Sequence, residues 1–162
     1  MCVAADLGAC FGWPDIEAIA GELAAMTACG GMPDTVVGIL RGGMVPAVIL
    51  AHLLGLRDIR AIEITHTAAD GPLAAKTPRP VLRNPASLGE VMGLDVVVVD
   101  DVAGTGDTIA AASQLVHAAG ARRVRTLVCA VNTLNQHSPG SPVAGHVGRK
   151  VEGWVRFPWE TQ

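Results

Sequence analysis

Val96, Val97, Val98 and Val99 run without a break into Asp100 and Asp101, and a turn with two glycines and two threonines follows. A run of β-branched residues with no polar alternation has no face to offer water. Asp95 to Val99 is therefore read as a strand buried on both faces, which demands covering layers above and below it. The turn, Val102-Ala103-Gly104-Thr105-Gly106-Asp107-Thr108, opens a helix predicted over Asp107 to Ala119 and closed by Gly120. Its glycines permit close backbone approach and unusual φ. Successive N–H groups at a helix start make an anion cradle, and Thr105 and Thr108 add hydroxyls. The segment reads as a phosphate site with two acids beside it, able to bind sugar hydroxyls or a hydrated Mg²⁺.

Other phosphate and cofactor loops fit less well. A P-loop would need Lys where Asp107 stands, and a dinucleotide fingerprint would need Gly where Ile109 stands. A methyltransferase nucleotide loop is superficially similar, but it follows the first strand of a long sheet, and this one follows a late strand. A tight turn carrying a solvated acidic pair is the plainest alternative.

The rest of the chain alternates strand and helix. Pro14 to Ala28 is predicted as a helix with Pro14 and Asp15 in its first turn and Gly30-Gly31 as its stop. Thr35 to Leu40 reads as a buried strand ended by Arg41-Gly42-Gly43. Val45 to Leu54 reads as a helix, Arg60 to Thr65 as a strand and Val124 to Val131 as another. Residues 66 to 89, rich in proline, read as irregular with one short extended piece at Val81-Leu82. Asn132 to Gly148 reads as loop, and Gly153 to Phe157 as a last short strand. This order predicts an α/β fold, an open, mainly parallel twisted sheet flanked by helices. Such sheets bind ligands beyond the carboxyl ends of their strands, so Arg41-Gly42-Gly43 and the loop ending at Thr108 carry the most weight.

Length and charge narrow the classes further. The 162 residues suit one domain, and a net charge of −3 gives no basic field for nucleic acid or an anionic membrane. The longest apolar run, Met44 to Leu56, is too short to span a bilayer. No Lys or Arg precedes Arg41, so the start lacks the basic region of a secretory signal. The four cysteines have neither CxxC spacing nor density and are read as reduced thiols of a cytoplasmic protein. His137 and His146 share one loop without acids or thiols nearby, a poor metal site.

The strand, acid pair and Thr-Gly-x-Thr turn resemble the signature of the type I phosphoribosyltransferases. Gly38-Ile39-Leu40-Arg41-Gly42-Gly43-Met44-Val45-Pro46 is similar to the pyrophosphate loop of the bacterial xanthine-guanine enzymes. Gly153-Trp154-Val155-Arg156-Phe157-Pro158-Trp159-Glu160 is similar to their base-binding hood. The resemblance covers residues 33 to 162 and implies that fold with a small C-terminal hood: a core over 33–131 and a hood over 132–162 with the N-terminal segment. It implies Mg²⁺-dependent transfer of the 5-phosphoribosyl group from phosphoribosyl pyrophosphate to a nitrogen of a purine-like base, with release of pyrophosphate. Asp100 and Asp101 would hold the ribose hydroxyls and influence the Mg²⁺ shell. Val102 and Ala103 would lead into a wrap around the 5′-phosphate from Gly104 to Thr108. Arg41 and the Gly42 backbone would contact pyrophosphate. Trp154 would stack on the acceptor ring, the Val155 backbone would read its edge, and Glu160 would lie near the metal. Residues 66 to 80 match the family's closing loop, without its usual Ser-Tyr pair, and Lys76 could reach pyrophosphate. A homo-oligomer, dimer or tetramer, is expected.

Two positions depart from the 6-oxopurine enzymes. Those carry an acid where Gly104 stands and a Lys near the position of Ala130. Two further readings stay open: a non-purine biosynthetic acceptor, or a module that senses the donor without catalysis.

Overall fold

The computed structural model describes residues 7–67, 76–136 and 142–160. Its elements run β1 (Leu7–Cys10), α1 (Trp13–Cys29), β2 (Thr35–Leu40), α2 (Met44–Leu53), β3 (Ile59–Thr67), β4 (Lys76–Leu82), β5 (Asp95–Ala103), α3 (Asp107–Ala118), β6 (Arg123–Asn132), β7 (His146–Val151) and β8 (Trp154–Arg156). Short 3₁₀ turns lie at Pro85–Leu88 and Thr133–Asn135. Six strands form one sheet in the order β4-β3-β2-β5-β6-β7. Every pairing in it is parallel except β3 with β4. The valine strand β5 thus lies in the interior of the sheet, as its lack of alternation requires.

Alternation along β5 divides the core in two. Val97 and Val99 join Ile16, Ile19 and Leu50 beneath α1 and α2. Val96 and Val98 join Ile109, Ala112 and Val116 beneath α3. The amino end of β5 is pinned by charge: buried Asp95 accepts from Arg125 Nη2 at 3.0 Å, and Arg123 Nη1 lies 3.5 Å away. Arg125 also donates to the Thr27 and Gly31 carbonyls, each at 2.9 Å, and ties the end of α1 to the sheet.

Several expectations need correction. The strand read as Asp95 to Val99 continues to Ala103, because Val102 and Ala103 keep pairing with Ala130 and Val131 of β6. The acids are therefore inside the strand, in its second half, rather than beyond its end. Part of the irregular stretch is the antiparallel edge strand β4, whose outer side tolerates Pro78 and Pro80 because no ladder bond is needed there. The stretch read as loop from Asn132 contains the Thr133–Asn135 turn and the start of β7. β1 was not foreseen; it pairs in parallel with β8, Leu7 opposite Trp154 and Cys10 opposite Arg156. Cys29 and Cys129 are free thiols, but Cys10 is disulfide-bonded, against the expectation of reduced cysteines throughout. Residues 68–75 of the expected closing loop, His137 and the Lys76 side chain lie outside what is described. Among the described residues no helix is long and apolar enough to cross a membrane.

Candidate active site

β2 and β5 are neighbours, with Gly38 opposite Val99, so the loops that leave their carboxyl ends emerge side by side. The turn after β2, whose Leu40–Arg41 peptide is cis, lies directly on β5. A Cβ added at Gly43 would stand 2.6 Å from the Val99 carbonyl oxygen and 2.8 Å from Asp100 Cα. One added at Gly42 would overlap Asp101 Oδ2. Glycine at both positions is thus what lets the Arg41-Gly42-Gly43 turn seat against the acid pair. Arg41 itself is exposed at the mouth of this junction.

The two carboxylates differ in setting. Asp100 is 8% exposed and faces the α3 side, where it lines a cavity of about 210 Å³. Asp101 is half-buried and packs on Gly42. Local hydrogen bonds orient them: Asp101 N donates to Asp100 Oδ1 at 3.0 Å and Val102 N to Asp101 Oδ1 at 2.8 Å. Burial, then the neighbouring Asp101 charge, pushes the Asp100 carboxyl well above its ordinary value of 3.8. Burial chiefly raises Asp101 too, with a smaller contribution from the Glu160 charge and an opposing one from the Val102 N–H. Among the described residues no ion pair joins either acid to a cation, whereas Asp95 at the other end of the strand is paired with Arg125 and Arg123. Burial, with smaller contributions from the Asp101 and Asp100 charges, pushes the Cys129 thiol up to about 12, so it is an inert core residue.

The loop from Val102 to Thr108 lines the cavity throughout. Gly106 caps α3 in the left-handed region at φ 89° and aims the first N–H groups of the helix at the space in front of it. Thr105 Oγ1 donates to Asp107 Oδ2 at 2.8 Å, which places a carboxylate at the mouth of the cradle. The opposite wall is β8: half-buried Trp154 and the buried Val155 line the cavity, with Glu160 at its edge. Glu160 Oε2 accepts from Phe157 N at 3.0 Å, so it also caps the terminal turn. Trp159 stacks on Phe157 at 4.7 Å and meets Trp13 at 6.0 Å; it belongs to a structural aromatic cluster in which Trp154 takes no part. Arg41, Gly42 and Asp101 lie outside this cavity, around the edge of β5.

Comparison with known proteins decides the family. Residues 11–162 match the phosphoribosyl transferase domain. The chain belongs to that family. It is similar to xanthine-guanine phosphoribosyltransferase of Gluconobacter oxydans, 30% identical over 78% of this chain and 68% of the relative. It is similar also to that of Ruegeria sp., 28% identical over 90% of this chain and 79% of the relative. Among solved structures, the purine phosphoribosyltransferase of Pyrococcus horikoshii aligns with 96% of each chain covered, a TM-score of 0.75 and 26% identity. The α/β fold with its mainly parallel sheet is that of the type I phosphoribosyltransferases.

Three residues of the junction and the cavity do not stand out in the sequence. Gly43 was noted only as part of a turn. Asn132 and Asn135 line the cavity, and both fell in the stretch read as loop. Asn132 had one signal: it is a polar residue closing an apolar strand at the carboxyl edge of the sheet, where ligands bind.

Proposed function

We propose that this phosphoribosyltransferase transfers the 5-phosphoribosyl group of phosphoribosyl pyrophosphate to a ring nitrogen of a purine-like base and releases pyrophosphate. The observation that carries the reading is the seating of the Gly42-Gly43 turn on Asp100 and Asp101, with the Gly104–Thr108 cradle leaving the end of the same strand. A donor with a phosphate at each end and a sugar between needs anion donors on two sides of a hydroxyl-binding acid pair, and this junction offers that order. In this account the backbone N–H groups and hydroxyls of Gly104 to Thr108 hold the 5′-phosphate. Asp100 and Asp101 accept from the ribose hydroxyls. Arg41 and the Gly42 backbone bind pyrophosphate, and Arg41 stabilises its charge as it leaves. Trp154 and the Val155 backbone set the acceptor ring in line with the C1′ carbon, and fixing both partners lowers the entropic part of the barrier. Ala103 and Val102 form the floor between.

The residues fit Mg²⁺ as a shared ion. A buried and a half-buried carboxylate with no cationic partner among the described residues are hard oxygen ligands, yet among those residues no three acidic, histidine or cysteine side chains converge into a cage. Asp100 and Asp101 would hold the ion together with substrate oxygens and water; Glu160, also expected as a ligand, does not gather with them into one such group. When bound, it would neutralise charge on the leaving pyrophosphate.

The test is incubation with donor, Mg²⁺ and a panel of purines, with pyrophosphate release and product mass as readouts. Purine mononucleotides support the reading. Products only from non-purine acceptors, or donor binding with no turnover at all, refute it in favour of a biosynthetic transferase or a donor sensor respectively.

A further inference from the structure

Asn132 is a buried polar residue, 8% exposed, at the end of β6. Its Oδ1 accepts two backbone hydrogen bonds, from Leu134 N at 3.1 Å and Gly153 N at 3.2 Å. Both partners are donors, so the orientation of the amide is determined: oxygen must face them and the NH₂ must face away. Asn132 lines the cavity. Its Nδ2 has no acceptor among the described residues, yet the buried side-chain atom left without a partner there is Trp159 Nε1, not Asn132 Nδ2. Nδ2 is therefore not sealed from solvent, and the side chain that carries it lines the cavity.

The surroundings make these donors the feature an acceptor would meet. Gly153 precedes Trp154, so the bond that fixes the amide also ties it to the strand carrying the stacking ring. Apolar Val102, Ala103, Ile109 and Val155 line the same cavity. Gly104 offers no side chain, and the space beside it is taken by Asn135, whose Cβ would lie 3.0 Å from a Cβ at that position.

We propose that Asn132 is a specificity-determining residue for the acceptor: its Nδ2 donates to a carbonyl oxygen on the ring edge, and its locked amide rejects an amino group at the same place. This rests on the purine-transfer reading and deepens it. Asn132 cannot rotate to accept from an amine without abandoning both backbone donors. An amine facing Nδ2 leaves donors against donors, which is costly in a buried site.

The experiment uses the full chain with donor, Mg²⁺ and three bases that bear oxo, amino or hydrogen on one carbon: hypoxanthine, adenine and purine. The unaltered protein should favour hypoxanthine over the other two by about 10- to 100-fold in kcat/KM, the range for one buried polar mismatch. Asn132→Asp keeps an oxygen for Leu134 N and Gly153 N but exchanges the donor for an acceptor. It should lose hypoxanthine turnover by a similar factor, shift preference toward adenine, and leave donor KM and Tm unchanged. A variant that keeps the original base ratio, or loses all three bases together with donor affinity, overturns the proposal. Equal use of the three bases by the unaltered protein overturns it without any variant. Absence of turnover with every base would instead defeat the purine-transfer reading on which it rests.

Discussion

Substituting Gly42 and Gly43 one at a time separates the chemistry of the site from its stability. Alanine at Gly43 would push a methyl group to 2.6–2.8 Å from the Val99 and Ile39 carbonyl oxygens and Asp100 Cα, against about 3.4 Å for ordinary contact. All three obstacles are backbone of the central strands, so β2 and β5 must part by about 0.6–0.8 Å, the difference between those distances. Overpacking of this kind costs about 1–3 kcal/mol, and for a chain of this size each kcal/mol lowers Tm by about 2–4 °C. Alanine at Gly42 meets only the tip of the Asp101 side chain. That carboxylate can swing aside, so the stability loss should stay under about 1 kcal/mol. The displaced acid then loses its place at the junction. A hydrogen bond to a charged group contributes about 1.5–3 kcal/mol, which corresponds to a fall of roughly 10- to 150-fold in kcat/KM for the donor. Gly21→Ala on the open side of α1 is the control, since its Cβ would meet nothing within 4 Å; it should leave activity alone and gain about 0.5–1 kcal/mol. The assays are differential scanning fluorimetry and pyrophosphate release. A Gly42→Ala protein with donor kinetics within threefold of the parent would refute the idea that this contact places Asp101.

The acid pair and the stacking ring give two more expectations. Burial raises the Asp100 pKa above 3.8, so the folded chain keeps a proton that the unfolded chain has lost, and stability of the metal-free protein falls as pH rises from 3.8 through the folded value. Asp100→Asn removes that loss: it should raise Tm near neutral pH, by an amount that shrinks toward pH 4, while abolishing turnover; a Tm difference independent of pH would contradict it. Trp154→Ala should weaken acceptor binding by about 2–3 kcal/mol, roughly 30- to 150-fold in Kd, from lost stacking and burial. Donor Kd should stay constant in calorimetry, and equal losses for both ligands would assign Trp154 to the core instead.

The parts of this fold legible in the sequence are those whose cause is local. Val96 to Val99 announce an interior strand, Thr35 to Leu40 another, and Pro14 with Gly30 bracket α1. The elements that were missed depend on distant partners. β1 has four residues and exists by pairing with β8 across nearly the whole chain. β7 contains Gly148, Arg149 and Lys150, a composition with little strand preference, and is held by its ladder to β6. β4 was hidden by prolines that only an edge accepts. In the site, the Asp100-Asp101 and Gly104–Thr108 motif and the Arg41–Gly43 turn could be read as separate anion-binding features. Their contact through Gly42 and Asp101 could not, because it arises from the β2–β5 neighbourhood. The direction of the Asn132 amide likewise follows from two backbone donors that only the folded chain brings together.

The central claim is that one donor molecule bridges the two loops at the carboxyl ends of β2 and β5. A crystal structure of the protein with phosphoribosyl pyrophosphate and Mg²⁺ tests it most directly. The account predicts density with the 5′-phosphate on the Gly104–Thr108 backbone, the ribose hydroxyls on Asp100 and Asp101, and the pyrophosphate on Arg41 and Gly42. A donor bound elsewhere, or bound with its two phosphate ends exchanged between the loops, would contradict it.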